Sequence, residues 1–300
     1  MTVYNPGHFP TPTEIYQPGI WWQATRIEGL VLGFKFENKG TVNDPKIKLT
    51  LYSQKPLSVD LRNKIIDELK YRFELDLDLA EFYEKYKKDK FLGPVFKRWR
   101  GARSKCGYSL YESLMIYLVL QNATVRRTIQ MMENLLQKYG TRVRFDGREL
   151  YCFWEPKDLA KVSQEELKAL KVGYRAKYFI RNSQEFLQEK FNEFELRKLK
   201  PDEILKRIDE IYGVGPASAS YILFEVFHNH QIFEVLPPWE QKIYSKILYD
   251  KELVSTQRIL KEFKKRYGRY SHFAAHLLFT DLFWRHHQKP ISWLTKLIKV

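Results

Sequence analysis

Cysteine is almost missing from this chain. Cys106 and Cys152 are the two among 300 residues, too few for a disulfide framework, a four-thiolate zinc site or a four-cysteine iron–sulfur cluster. A reducing, intracellular setting (cytoplasm, nucleoid or nucleus) is therefore expected. Long apolar runs are lacking too: the longest is Leu114 to Leu120, far short of the roughly 18 residues of a membrane span. No membrane partner is expected, and the first residues, without a basic cluster leading into an apolar stretch, do not read as a secretion signal. No fixed-period repeat and no low-complexity tract is present, which excludes a solenoid or a coiled coil. Acidic residues are the minority charge, 36 Asp and Glu against 51 Lys and Arg, for a net charge of +15. Such a surplus attracts polyanions, of which nucleic acid is the commonest soluble one and an anionic membrane surface the alternative. Aromatic residues are plentiful, with 7 Trp, 19 Tyr and 20 Phe, although most of them must be core.

Read along its length, the chain changes period once. Up to about Gly19 it is proline-rich and without period, an extended lead-in. Trp21 to Ile27, Leu30 to Phe36 and Ile47 to Tyr52 are short runs of β-branched and aromatic residues, with Asn38-Lys39-Gly40 and Asn43-Asp44-Pro45 as turns between the last two. From Val59 through Leu61, Ile65, Ile66, Leu69 and Phe73 the apolar spacing is helical. Short helical segments then follow one another to about residue 287. The expected architecture is mainly α with a small N-terminal antiparallel β-sheet, an α+β chain divided into residues 1–55 (sheet) and 56–300 (helical body).

The stretch with the most chemistry runs over residues 201–228. A helix from Pro201 ends at Gly213-Val214-Gly215, and a second helix opens at Pro216 with Ala217, Ser218, Ala219 and Ser220 on its first turn. Glycine permits positive φ and close approach of another backbone, and proline suits the first helical position. The N–H groups of that helix start, with the dipole behind them, form a place for a phosphate oxygen. Downstream, Leu236-Pro237-Pro238-Trp239-Glu240-Gln241-Lys242-Ile243 puts a carboxylate at another helix start.

This hairpin, loop and carboxylate-bearing helix resemble the helix-hairpin-helix DNA glycosylase superfamily. Leu118-Val119-Leu120-Gln121-Asn122-Ala123-Thr124, Val172-Gly173-Tyr174-Arg175-Ala176 and the final helix around Gly268 to Phe279 resemble further segments of its 3-methyladenine and 8-oxoguanine branches. The resemblance covers roughly residues 20 to 287. It implies a two-lobed helical body and an enzyme of base excision repair that flips a damaged base out of double-stranded DNA and hydrolyses its N-glycosyl bond. It places the catalytic carboxylate at Glu240, where the family carries aspartate. Members that also cleave the backbone carry a lysine nucleophile at the position of Ala217, so the implied chemistry is monofunctional and leaves an abasic site, with alkylated purines ahead of 8-oxoguanine as substrate. A non-catalytic DNA-binding or lesion-scanning protein on the same fold is the alternative.

The remaining roles follow from the same resemblance. Gly213, Val214, Gly215 and Ala217 would grip phosphate through their amides, and Asn122, preceded by Gln121, would fill the gap left by the flipped base. Lys242 and Arg126 would add phosphate contacts, as would Arg98, Arg100, Arg103, Lys105 and Arg127. Tyr174 and Trp239 would stack on the base, with Phe153 and Trp154 behind them. No cofactor is required. The carbonyls of Asp209, Ile211 and Val214 would coordinate a monovalent cation, Na⁺ or K⁺, and a monomer is expected. His228-Asn229-His230 lacks the spacing of a metal site.

Overall fold

The computed structural model describes residues 11–103 and 107–297. The chain begins with β1 (Glu14–Gln17), β2 (Ile20–Ile27), β3 (Leu30–Asn38) and β4 (Ile47–Tyr52). Next come α1 (Val59–Arg72), α2 (Ala80–Tyr86), α3 (Leu92–Trp99), α4 (Leu110–Leu120) and α5 (Val125–Tyr139), and then a second hairpin of β5 (Thr141–Phe145) and β6 (Arg148–Cys152). After it run α6 (Pro156–Leu159), α7 (Gln164–Ala169), α8 (Ala176–Leu187), α9 (Glu193–Leu196), α10 (Pro201–Asp209), α11 (Pro216–Glu225), α12 (Pro238–Tyr249), α13 (Thr256–Tyr267), α14 (Ser271–Gln288) and α15 (Ser292–Leu297). The mainly helical fold with a small N-terminal antiparallel sheet is as expected. No helix among the described residues is long and apolar enough to cross a membrane.

Two compact units are present, and neither follows the change of period near residue 55. Among the described residues, 11–76 with 107–196 form one unit, and 77–103 with 197–297 form the other. In the first, the sheet has the order β1-β2-β3-β4 with every pair antiparallel. Period-2 alternation gives β2 and β3 two apolar faces. Trp21, Leu32, Phe34 and Phe36 pack on Ile65, Leu69 and Phe73, the helical stripe legible in the sequence. Trp22 and Ala24 face Phe145, Leu150 and Cys152 of the second hairpin. That hairpin is an addition to the mainly helical body expected. Its Asp146-Gly147 turn holds both residues at positive φ, 48° and 68°, the conformation that such a dipeptide favours between paired strands. The Asp146 carboxylate then accepts from Trp22 Nε1 at 2.7 Å and from Tyr52 at 3.0 Å, pinning the turn to the sheet.

The second unit is helical and its core is aromatic. Phe82 on α2 lies 4.9–5.3 Å from the rings of Tyr86, Phe96, Tyr270 and Phe273. On α14 the buried Asp281 accepts from Trp99 Nε1 at 3.0 Å and from both Arg98 and Arg285. Arg98 is thereby engaged with Asp281, which corrects its expected role as a phosphate contact.

Candidate active site

In the second unit, α10, a tight turn and α11 form the hairpin read from the sequence. Gly213 sits at φ 87°, where a Cβ would be strained. Gly215 is the N-cap of α11, Pro216 fills its first position, and a Cβ built on Gly215 meets nothing within 4 Å. Residues 212–215 of the turn are half-buried. Val214 N–H donates to Ile211 O at 3.0 Å, closing the turn. Burial pushes the Asp209 carboxyl up.

The α12 helix begins at Pro238, and Glu240 lies in its first turn. Its side chain is 6% exposed. Tyr221, one turn beyond Ala217 on α11, donates its phenol hydrogen to Glu240 Oε1. Burial pushes the Glu240 carboxyl up to about 7, with the Tyr221 hydrogen bond pulling the other way. The acid form and the carboxylate are thus both populated near neutrality, the condition suited to a group that must hold charge in one step and handle a proton in another. Lys242 is exposed while Glu240 is buried, because positions two apart on a helix do not share a face.

Next to Glu240, Trp239 is 42% exposed and meets Phe279 of α14 edge-on at 5.4 Å, with Phe283 another 4.3 Å along. Tyr221, Phe279 and Phe283 were not singled out by the sequence reading. The i, i+4 spacing of the two phenylalanines on α14, and of Ala217 and Tyr221 on α11, puts each pair on one helix face but does not say what that face meets. His272, stacked between Phe224 and Phe233, donates Nδ1–H to Ile232 O at 3.1 Å. Burial holds its pKa down to about 3, so it stays neutral.

The first unit carries the other expected DNA-contact residues. Asn122 follows α4 at φ 48° and is exposed; its amide approaches Tyr174 Oη at 3.4 Å. Behind them the buried Arg175 caps α4, donating to Leu118 O at 2.9 Å and to Gln121 O. Its guanidinium satisfies carbonyls that the helix end leaves unpaired, which fixes the position of Asn122. Arg126 is exposed, whereas Arg127 donates to Lys171 O and, in the other unit, Arg103 donates to Leu77 O and Gly101 O. Arg100 is exposed, and Lys105 lies outside the described residues.

Phe153 and Trp154 require a correction. They are 1% and 2% exposed, tilted against each other at 5.2 Å, with Tyr108 against Phe153 and Trp154 Nε1 donating to Tyr111. Their faces are covered by core, so neither can stack on a base. Tyr174, 44% exposed, and Trp239 retain open ring surface, one in each unit.

Comparison with known proteins gives concordant matches. The HhH-GPD superfamily of base excision DNA repair proteins matches residues 117–236, a range that takes in the hairpin and stops just short of Glu240. A probable N-glycosylase/DNA lyase of Methanothermobacter thermautotrophicus is 26% identical over 242 residues, 74% of this chain and 76% of that protein. An N-glycosylase/DNA lyase of Arabidopsis thaliana is 30% identical over 216 residues, and the match covers 68% of this chain but 58% of the plant protein. The 3-methyladenine DNA-glycosylase structure from Archaeoglobus fulgidus superposes with a TM-score of 0.76 at 16% identity, over 91% of this chain and 90% of the other.

Proposed function

The chain belongs to the helix-hairpin-helix (HhH-GPD) superfamily of base excision DNA repair proteins, and from that membership we propose that it is a monofunctional DNA glycosylase. Its substrate is double-stranded DNA bearing a damaged base, and its product is an abasic site. The observation that carries this reading is Glu240: a buried carboxyl at a helix start, bonded to the hairpin's second helix through Tyr221, on a hairpin with alanine at position 217.

In the reaction, the bond between the base and C1′ breaks and its electron pair leaves with the base. Positive charge builds on C1′ and the ring oxygen. The Glu240 carboxylate stabilises that charge from a site shielded from water, where an electrostatic interaction is worth far more than in bulk solvent. Water then adds to C1′ and gives its proton to the same carboxylate. An amine nucleophile would divert the step to a covalent adduct, but Ala217 supplies none and Lys242 faces solvent. Alkylated purines rank ahead of 8-oxoguanine because ring alkylation makes the purine a cation. A cationic base leaves readily, and it favours the faces of rings such as Trp239 and Phe279. The Gly215 and Ala217 amides at the start of α11 and the exposed Lys242 and Arg126 serve as phosphate contacts, and Asn122 on its Arg175-capped helix end fills the vacated stack. A monovalent cation held by the Asp209, Ile211 and Val214 carbonyls would add positive charge toward that phosphate.

The test is incubation with duplexes that each carry one lesion, scored for abasic sites, with Glu240→Gln alongside. Release of an alkylated purine by the parent and its loss in the variant are expected. If no lesion is released, the non-catalytic reading takes its place; borohydride trapping of a DNA adduct would overturn the monofunctional assignment.

A further inference from the structure

A glutamate in place of an aspartate brings one more rotatable bond and a carboxyl one methylene further from the main chain. Freely rotating, it would lose the placement that electrostatic catalysis needs, and fixing it has an entropic cost. Burial adds a second difficulty, since desolvation favours the neutral acid. One group on the hairpin answers both. Tyr221 lies one turn after Ala217 on the same stripe of α11, so the helix face without an amine carries a phenol instead. Its O–H donates to Glu240 Oε1. The ring is held in turn, 6.4 Å from that of His272, which is itself stacked between Phe224 and Phe233.

Building on the glycosylase reading of Glu240, we propose that Tyr221 is a positioning residue that fixes the carboxylate in its working rotamer and favours its charged form. A donated hydrogen bond stabilises the charged form and opposes burial. Without the phenol, Glu240 would be the neutral acid over a wider range, and the carboxylate needed for the sugar's developing charge would be scarce at pH 7. Other titratable groups surround the pair. Tyr244, one turn along α12, donates to Ala275 O at 3.0 Å, and burial together with Glu240 raises its pKa well above the usual value. His272 stays neutral. His230 and His276 pack on Phe224 at 5.6 and 5.2 Å.

The experiment is the pH profile of base release for Tyr221→Phe, which removes one oxygen and keeps the ring. The acidic limb of the parent profile should move upward by about one pH unit, so that the rate falls several-fold at pH 7 and recovers above pH 8, with the melting temperature unchanged. A midpoint identical to the parent's overturns the proposal. A second arm places Tyr221→Phe in a Glu240→Asp background. The shorter acid is drawn back from the phenol, so the substitution should have no further effect there; equal losses in both backgrounds overturn the proposal. If Glu240→Gln releases base as fast as the parent, the site reading fails and this inference with it. If that variant is inactive but Tyr221→Phe keeps the parent midpoint, only this inference fails.

Discussion

Two glutamates, one in each unit, stand in the first turn of a helix with their side chains out of water, and they are equipped in opposite ways. Glu112 opens α4. It accepts from Ser109 N–H at 2.7 Å and from Ser109 Oγ at 3.0 Å in a capping box, and the buried Arg72 guanidinium lies 4.0 Å away. Burial pushes its carboxyl up while Arg72 pulls it down. Glu240 opens α12, where the first position is a proline without an N–H to donate and the N-cap is Pro237. Among the described residues its hydrogen-bond partner is Tyr221, and no cation opposes the effect of burial. A carboxylate that serves the fold is surrounded by donors and an opposite charge. On the proposed mechanism Glu240 awaits a developing cation with one phenol donor and no opposite charge, and bears the cost of desolvation in the meantime.

The sharpest way to break this contrast is to neutralise each acid in turn. Glu240→Gln should lower base release at least about a hundredfold while leaving the melting temperature at pH 7 the same or higher. Glu112→Gln should do the reverse: roughly 1–3 kcal/mol less stability, because a charge partner of Arg72 is lost, and an unchanged rate per folded molecule. Equal activity losses from the two, measured on folded protein, would erase the distinction.

The pH dependence follows from the same group. On the proposed mechanism the active form is the carboxylate, so the rate should rise about tenfold per unit below pH 7 and level off above it. Stability runs the other way. The Glu240 carboxyl is raised in the fold from 4.5 to about 7, so its contribution is complete below pH 4.5 and is lost as the pH climbs through 7. Denaturant melts of parent and Glu240→Gln should diverge over that window by as much as roughly 3 kcal/mol, the parent becoming the less stable. Parallel curves would mean that Glu240 titrates normally and is not buried in solution.

How much of this was legible in the sequence depends on whether a signal is local. The hairpin around Gly213 and Gly215, the strands from Trp21 to Tyr52 and the position of Glu240 at a helix start all rest on turn residues and short periods, and they stand where expected. Asp146-Gly147 was equally local, a turn dipeptide between alternating residues, but it falls in a stretch left as a connection between two helical segments. Tyr221 and Phe279 could not be read that way, since their roles depend on packing between helices distant in sequence. Phe153 and Trp154 failed as base-stacking residues for a related reason: aromatic identity does not tell a covered ring from an open one. The unit boundaries also escaped, because residues 107–196 return to the sheet after the chain has contributed α2 and α3 to the other unit.

Two glycines extend the contrast to the backbone. A Cβ on Gly33 would meet the Phe145 ring at 2.6 Å, so Gly33→Ala should force the β5–β6 hairpin off the sheet and cost about 1–3 kcal/mol. Gly215 faces open space, and Gly215→Ala should cost no more than about 1 kcal/mol, the ordinary loss of a glycine N-cap. Its effect belongs in binding instead. An abasic-analogue duplex should bind the Gly215 variant several-fold more weakly and the Gly33 variant like the parent. A Gly215→Ala protein that binds DNA normally would show that no phosphate approaches this turn.

The smallest expected effect falls on Lys242. It shares the first two turns of α12 with Glu240 but is exposed, so on the proposed reading it meets a phosphate and not the reacting sugar. Lys242→Ala should weaken duplex binding a few-fold and reduce the salt dependence by about one counterion. The base-release rate at saturating enzyme should stay the same, and so should the pH profile. A change in that profile would place Lys242 in electrostatic contact with Glu240, and the buried acid would then have a cation of its own, as Glu112 does.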